Sequence, residues 1–144
     1  MAESRYTYVT FIRTTPEKLW DALTTTEFMK SWFFGVTFDT DWKQGAAWKM
    51  ILPDGTLCNS GEILEFNPPS RLVLSWRHDM GEERKAEGAS QVVWDIEVVG
   101  QACKLTLTQT IGVADSKVIA SGAEFWPQIL SNLKSVIETG QPTL

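Results

Sequence analysis

The sequence predicts an α+β domain. A curved antiparallel sheet of six to seven strands would hold a long C-terminal helix on its concave face, with two short helices near the N-terminus. Three observations carry this. Ser116 to Gly140 reads SKVIASGAEFWPQILSNLKSVIETG, and Ile119, Ala123, Trp126, Leu130, Leu133 and Ile137 recur at spacings of three and four, with Ile129 and Val136 widening the stripe. That is the period of an amphipathic helix. Most of the chain before it alternates with period two, as strands do. The main exception, from Thr14 to Trp32, opens on a helix-start signal. One long helix at the end of a β-rich chain must bury its stripe, and a sheet is the only partner large enough.

The elements follow in order. Arg5 to Arg13 (RYTYVTFIR) is β-branched and aromatic and predicts the first strand. Thr14-Thr15-Pro16-Glu17 supplies a threonine cap, a first-turn proline and an early glutamate, so a short helix is expected over Pro16–Leu23. Thr26 is then expected to cap a second helix from Glu27 to Trp32, closed by Trp32-Phe33-Phe34-Gly35. Val36 to Asp39 reads as a weak strand and Asp41 to Ala46 as a loop. Ala47 to Leu52 puts Trp48, Met50 and Leu52 on one face, and Pro53-Asp54-Gly55 is a hairpin signal. Leu57 to Phe66 carries Gly61, a mark of a bulge or of close backbone approach. After the turn Asn67-Pro68-Pro69-Ser70, Arg71 to Arg77 turns Leu72, Leu74 and Trp76 to one side. His78 to Ala89 is the longest polar connection, read as a solvated hairpin loop or a rim over a site. Gln91 to Val98 and Lys104 to Ile111 alternate cleanly around a turn at Gly100-Gln101. Strands with one apolar face imply an antiparallel sheet that is wet on its other side.

Length and composition bound the function. A chain of 144 residues predicts a single domain, residues 1–144, with a sizeable core. Net charge is −5 and no basic stripe is present, which argues against nucleic acid as a partner. No apolar run approaches the ~20 residues of a membrane span, and the polar N-terminus lacks a signal-peptide pattern, so a cytoplasmic protein is expected. Cys58 and Cys103 have no metal-like spacing and are expected to be buried and reduced, a disulfide between them being the alternative.

Four stretches then carry a resemblance: TPEKLWDALTTTEFMKSWFFG (Thr15 to Gly35), GEILEFNPPSRLVLSW (Gly61 to Trp76), VVWDIEVVGQACKLTLTQ (Val92 to Gln109) and WPQILSNLKSVIETG (Trp126 to Gly140). In order and spacing they resemble the START-like helix-grip superfamily. Within it they look most like the homologues of the activator of the heat-shock protein 90 ATPase. The resemblance implies a helix-grip fold with an apolar cavity for lipids, polyketides, hormones or other hydrophobic small molecules; some members of the superfamily are cyclases, dehydratases or hydrolases. It also implies a chaperone as a candidate partner. The eukaryotic co-chaperones of that family carry an additional N-terminal domain that these residues do not contain.

The residues themselves show no catalytic constellation. One histidine and no Cys/His cluster give no metal site, there is no GxSxG, and the glycines do not form a phosphate loop, so no cofactor is expected. Polar candidates remain. Glu62 and Glu65 have opposite strand parity, so one is expected to face the concave side, where burial would raise its pKa and suit it to acid–base work. His78 ends a strand at the mouth of the long connection, and Gln109 continues the inward parity of Leu105 and Leu107. The aromatic set is stronger. Seven tryptophans is a high count, and Trp48, Trp76 and Trp94 share the inward parity of three strands while Trp126 lies on the helix stripe. With Trp32 and Phe34 they either line a cavity or interlock as core. The expected lining is Trp32, Phe34, Trp48, Met50, Glu62, Leu74, Trp76, His78, Trp94, Gln109, Trp126, Ile129, Leu130 and Leu133. Three functions follow: binding of a hydrophobic small molecule, a co-chaperone-like protein interaction, or a cofactor-free enzyme using Glu62, His78 or Gln109. A homodimer through a sheet edge or the helix surface is compatible with each.

Overall fold

The computed structural model describes residues 3–144. Seven strands form one antiparallel sheet: β1 (Ser4–Ile12), β2 (Thr37–Thr40), β3 (Ala47–Ile51), β4 (Leu57–Asn67), β5 (Arg71–His78), β6 (Ala89–Val99) and β7 (Ala102–Ile111), in the order β1-β7-β6-β5-β4-β3-β2. β2 to β7 form a meander, and β1 joins at its far end. The chain therefore has to cross from one sheet edge to the other between β1 and β2. The helices α1 (Pro16–Thr24) and α2 (Thr26–Trp32) make that crossing. α3 (Glu82–Ala86) lies in the connection from β5 to β6, and α4 (Lys117–Thr139) packs against β1, β7 and α2.

Capping chemistry fixes the start of α1 and both ends of α4. Thr15 Oγ1 accepts from Lys18 N–H and Pro16 occupies the first turn of α1. Ser116 caps α4 through Ile119 N–H (3.1 Å), and Gly140, at φ 85°, ends it in the left-handed conformation that glycine adopts without penalty. Two expectations are corrected here. Thr26 does not cap α2; Thr25 holds that position, and the Thr26 hydroxyl donates instead to Phe38 O (2.6 Å), tying α2 to β2. The polar connection after His78 is not simply a loop, because Glu82 to Ala86 coil into α3.

The core lies between the concave face and the helices. Leu105 and Leu107 of β7 meet Leu130 and Leu133 of α4, all essentially without exposure. Burying each such side chain contributes on the order of 2 kcal/mol. The buried side of α4 departs from the expected stripe at two positions. Ala123 is exposed and Gly122 is buried in its place; the polar Asn132, outside that stripe, is buried with its Oδ1 accepting from Leu144 N–H (2.8 Å). Pro127 sits inside α4 and removes the N–H that would have met the Ala123 carbonyl. Cys58 and Cys103 are both buried free thiols, and in each burial raises the pKa. No helix among the described residues is long and apolar enough to cross a membrane.

Candidate functional site: a cavity between the sheet and the terminal helix

A cavity of about 340 Å³ opens where α4 lifts off the central strands. Its floor comes from strand residues of inward parity: Met50 of β3, Trp76 and His78 of β5, and Gln109 of β7. Its roof is Trp126 and Ile129 of α4. Phe34 stands at one end, where the chain leaves α2. Phe34 has a φ of 51°, followed by Gly35 at 73°, a turn that holds a large ring outward at the cost of backbone strain. Phe34, Met80 and Phe125 all line the cavity yet are 46%, 40% and 49% exposed, so they form an apolar rim.

The other expected lining residues lie elsewhere, each for a local reason. Trp32 is completely buried, its Nε1 donating to Ala22 O (3.0 Å). Trp48 stacks on Phe38 at 4.7 Å and donates from Nε1 to Ser75 O (3.0 Å), so it faces β2 and not the cavity. Trp94 packs between Trp32 and Trp126, with ring centroids 6.4 and 5.7 Å away. Together with Leu74, Trp32 and Trp94 enclose only a void of about 10 Å³, room for at most one water. Leu130 and Leu133 are consumed by core packing. Glu62 is exposed: Gly61 and Ile63 face inward on either side of it, and the register shift between Ile63 and Glu65 comes only afterwards. Glu65 pairs with Arg71 (3.1 Å), so neither glutamate enters the cavity. The aromatic set thus divides, with Trp76 and Trp126 forming cavity walls and Trp32, Trp48 and Trp94 filling core.

Two polar systems face the space. In the first, Trp126 Nε1–H donates to Gln109 Oε1 (2.9 Å), Gln109 Nε2–H donates to Ser90 Oγ (3.0 Å), and the Ser90 hydroxyl donates to Trp76 O (3.1 Å). This relay satisfies a glutamine that is 1% exposed and ties α4 to β7, β6 and β5. Gly122 makes it fit: a Cβ there would lie 2.6 Å from Gln109 Oε1 and 3.0 Å from Trp126. In the second, Asn59 Nδ2–H donates to His78 Nδ1 and to Arg77 O, both at 3.3 Å. An imidazole that accepts at Nδ1 carries its proton on Nε2 when neutral.

Sequence reasoning missed Asn59, Cys58, Leu52, Arg84, Ser121 and Phe125, among others that line the cavity. Asn59 was legible from its parity with Gly61. Arg84 was not, because the polar run 78–89 has no apolar period and only its fold brings it to α4. That run is tied down twice. Arg84 Nη1 donates to Ser121 Oγ (3.2 Å), and the Glu87 carboxylate accepts from Ser116 Oγ (2.5 Å), Lys117 N–H (2.7 Å) and Val118 N–H (3.3 Å) at the start of α4.

Burial, and after it the Arg84 charge, lowers the His78 pKa from 6.5 to about 4; Asp79 and Glu87 pull the other way. The unfolded chain takes up a proton near 6.5 that the folded chain refuses until about 4. Stability is therefore full above 6.5 and falls as pH drops through this window. Discounted for the part-exposed ring, the loss is on the order of 2 kcal/mol. Glu138 and Glu87 also have lowered pKa values. Arg13 N–H and Lys134 outweigh burial at Glu138, and the three bonds from α4 outweigh it at Glu87; their contributions are lost only below the ordinary carboxyl value of 4.5. Urea titrations between pH 7 and 5 should thus show the decline in the parent chain and a flatter response in His78→Gln. Equal slopes would remove the assignment.

A seven-stranded curved sheet closed by a long terminal helix, with the cavity beneath that helix, defines a START-like helix-grip domain. Residues 13–138 match the family model described as Activator of Hsp90 ATPase homolog 1-like protein, and the chain belongs to that family. Solved structures agree in fold. The Aha1 dimer from Colwellia psychrerythraea is 20% identical with a TM-score of 0.76, over 95% of this chain and 98% of that one. PFC0360w, an HSP90 activator from Plasmodium falciparum, is 20% identical at 0.75, over 96% and 97%. CalU16 from Micromonospora echinospora is 22% identical at 0.77, over 96% and 76%. No match is found among curated proteins.

Proposed function

We propose that this domain binds one small apolar molecule in the cavity between the curved sheet and α4. The observation that supports the reading best is the cavity itself: about 340 Å³, walled by Trp76, Trp126, Met50 and Ile129, with a few fixed polar groups. Ligand sites are commonly of ~300–1,000 Å³ and built in this way. Trp76 and Trp126, whose ring centroids are 5.4 Å apart, would both report on an occupant. Family membership also supports association with a heat-shock protein 90 homologue, but the cavity is the more concrete observation. An enzymatic reading has lost Glu62, and His78 and Gln109 are held by Asn59 and by Ser90 and Trp126.

The test is a titration with phenylnaphthylamine, a neutral apolar probe, followed by tryptophan emission and native mass spectrometry. The expected result is saturable one-to-one binding. Ser121→Trp, at a half-buried helix position on the lining, should weaken it by about tenfold or more through steric block, with the parent's far-ultraviolet circular dichroism retained. Absence of saturable binding, or equal affinity in the blocked variant, would remove the cavity as a ligand site.

A further inference from the structure

We propose that the cavity selects ligands carrying a carboxylate, whose head is received at the mouth by Arg84 with Ser121 and His78 while the apolar body lies against Trp76 and Trp126. This rests on the cavity reading above and adds the class of ligand.

The position of Arg84 carries the argument. Arg84, Ser121 and Phe125 border both the cavity and a shallow groove on the outer surface, so they mark the opening between the two. Arg84 is half-buried and its guanidinium is placed by two neighbours. It donates to Ser121 Oγ, and it folds over Gly81, where a Cβ would lie 2.5 Å from Nη2. Among the described residues it forms no ion pair, although Glu82, Glu83 and Glu87 surround it in sequence. Glu82 and Glu83 border the outer groove and do not reach the cavity lining. Glu87 is occupied by the start of α4, and Asp79 accepts from the Ser60 hydroxyl (2.7 Å).

The cavity lining therefore contains one positive charge and no carboxylate. A guanidinium held in place without a counter-ion, next to apolar walls that weaken water's competition, is matched by a carboxylate through paired N–H donors. Its neighbours are donors as well. The neutral His78 ring has its proton on Nε2, because Asn59 donates to Nδ1, and the Ser121 hydroxyl is free to donate since its oxygen accepts from Arg84. Arg84, Ser121 and His78 line the same cavity, so one ligand can meet all three donors. A neutral ketone or alcohol would leave the guanidinium unpaired and gain less.

Matched pairs test this by isothermal titration calorimetry: decanoate against decanol, and naphthoate against naphthol. The acid of at least one pair should bind about tenfold or more tightly than its alcohol. Arg84→Gln should abolish that preference by weakening the acid far more than the alcohol, while Arg84→Lys should retain part of it. The proposal is overturned if alcohols bind as tightly as acids, or if Arg84→Gln weakens acid and alcohol alike, which would make Arg84 only a structural part of the rim. If neither member of either pair binds while phenylnaphthylamine does, the cavity reading stands and the carboxylate inference falls. If all three ligand types fail, both fall.

Discussion

Gly61→Ala is expected to prevent folding or to cost at least about 4 kcal/mol, a large share of the roughly 5–15 kcal/mol that holds a domain together. Gly61 lies on β4 opposite Trp48 of β3, and a Cβ at that position would stand 2.0 Å from Ser75 O and 2.7 Å from Trp48 Nε1. The first of these atoms is backbone, on the neighbouring strand β5, and cannot rotate away. The second is the donor that reaches over Gly61 to that same carbonyl. One added methyl group would therefore push β4 from β5 and break the indole hydrogen bond together. The neighbouring bond between these strands, Glu62 N–H to the Ser75 side-chain Oγ (2.9 Å), would be displaced with it. Gly112→Ala is the control: it has nothing within 4 Å and no left-handed backbone, so it should change stability by no more than about 0.5 kcal/mol. Far-ultraviolet circular dichroism and urea melts of the two variants decide the matter. A Gly61→Ala chain that melts with the parent would refute this account of the β3–β4–β5 contact.

Gly61 also illustrates what the sequence could disclose. A glycine inside a strand implied a bulge or a close approach; the structure places the approach there and the register shift two residues on, between Ile63 and Glu65. Periodicity identified the strands and α4 because those elements bury one face continuously. The same reasoning could not separate cavity from core. Trp48, Trp76 and Trp94 have equal parity on three strands of one sheet, yet Trp48 is covered by Phe38, and Trp94 by Trp32, while Trp76 is left beneath the gap under α4. Parity reports the side of the sheet a residue faces, not what lies above it. The exchange of Ala123 for Gly122 on the buried side of α4 has a similar origin. The helix is turned so that its residue without a Cβ lies against Gln109 of β7 and its own Trp126, a demand made by the bond between those two side chains. Arg84 and Ser121 were invisible for the same reason, since their meeting depends on how α3 docks on α4.

Trp126→Ala is expected to destabilise the domain by about 4 kcal/mol, and a cycle of milder variants should divide that cost into packing and hydrogen bonding. The indole is 4% exposed and meets Trp76, Trp94 and Phe33 edge-on, at centroid distances of 5.4, 5.7 and 6.1 Å. Removing it withdraws the common wall of three rings and leaves Gln109 Oε1 without its donor. The adjoining cavity holds about 340 Å³, so water can reach part of the vacated space and the polar share of the penalty stays modest. Trp126→Phe keeps most of the ring and should cost about 1–2 kcal/mol, chiefly the unpaired Gln109 oxygen. Gln109→Leu should cost about 2 kcal/mol by stranding the indole N–H and removing the donor to Ser90. With both changes neither buried partner is left waiting for the other, so the double variant should be more stable than the sum of the single losses by at least about 1 kcal/mol. Additive losses would mean that the Trp126–Gln109 bond holds nothing, and that α4 is seated by ring packing alone. The same measurement bears on ligand binding: if the bond does seat α4, Trp126→Phe should loosen the cavity roof and weaken phenylnaphthylamine while the fold persists.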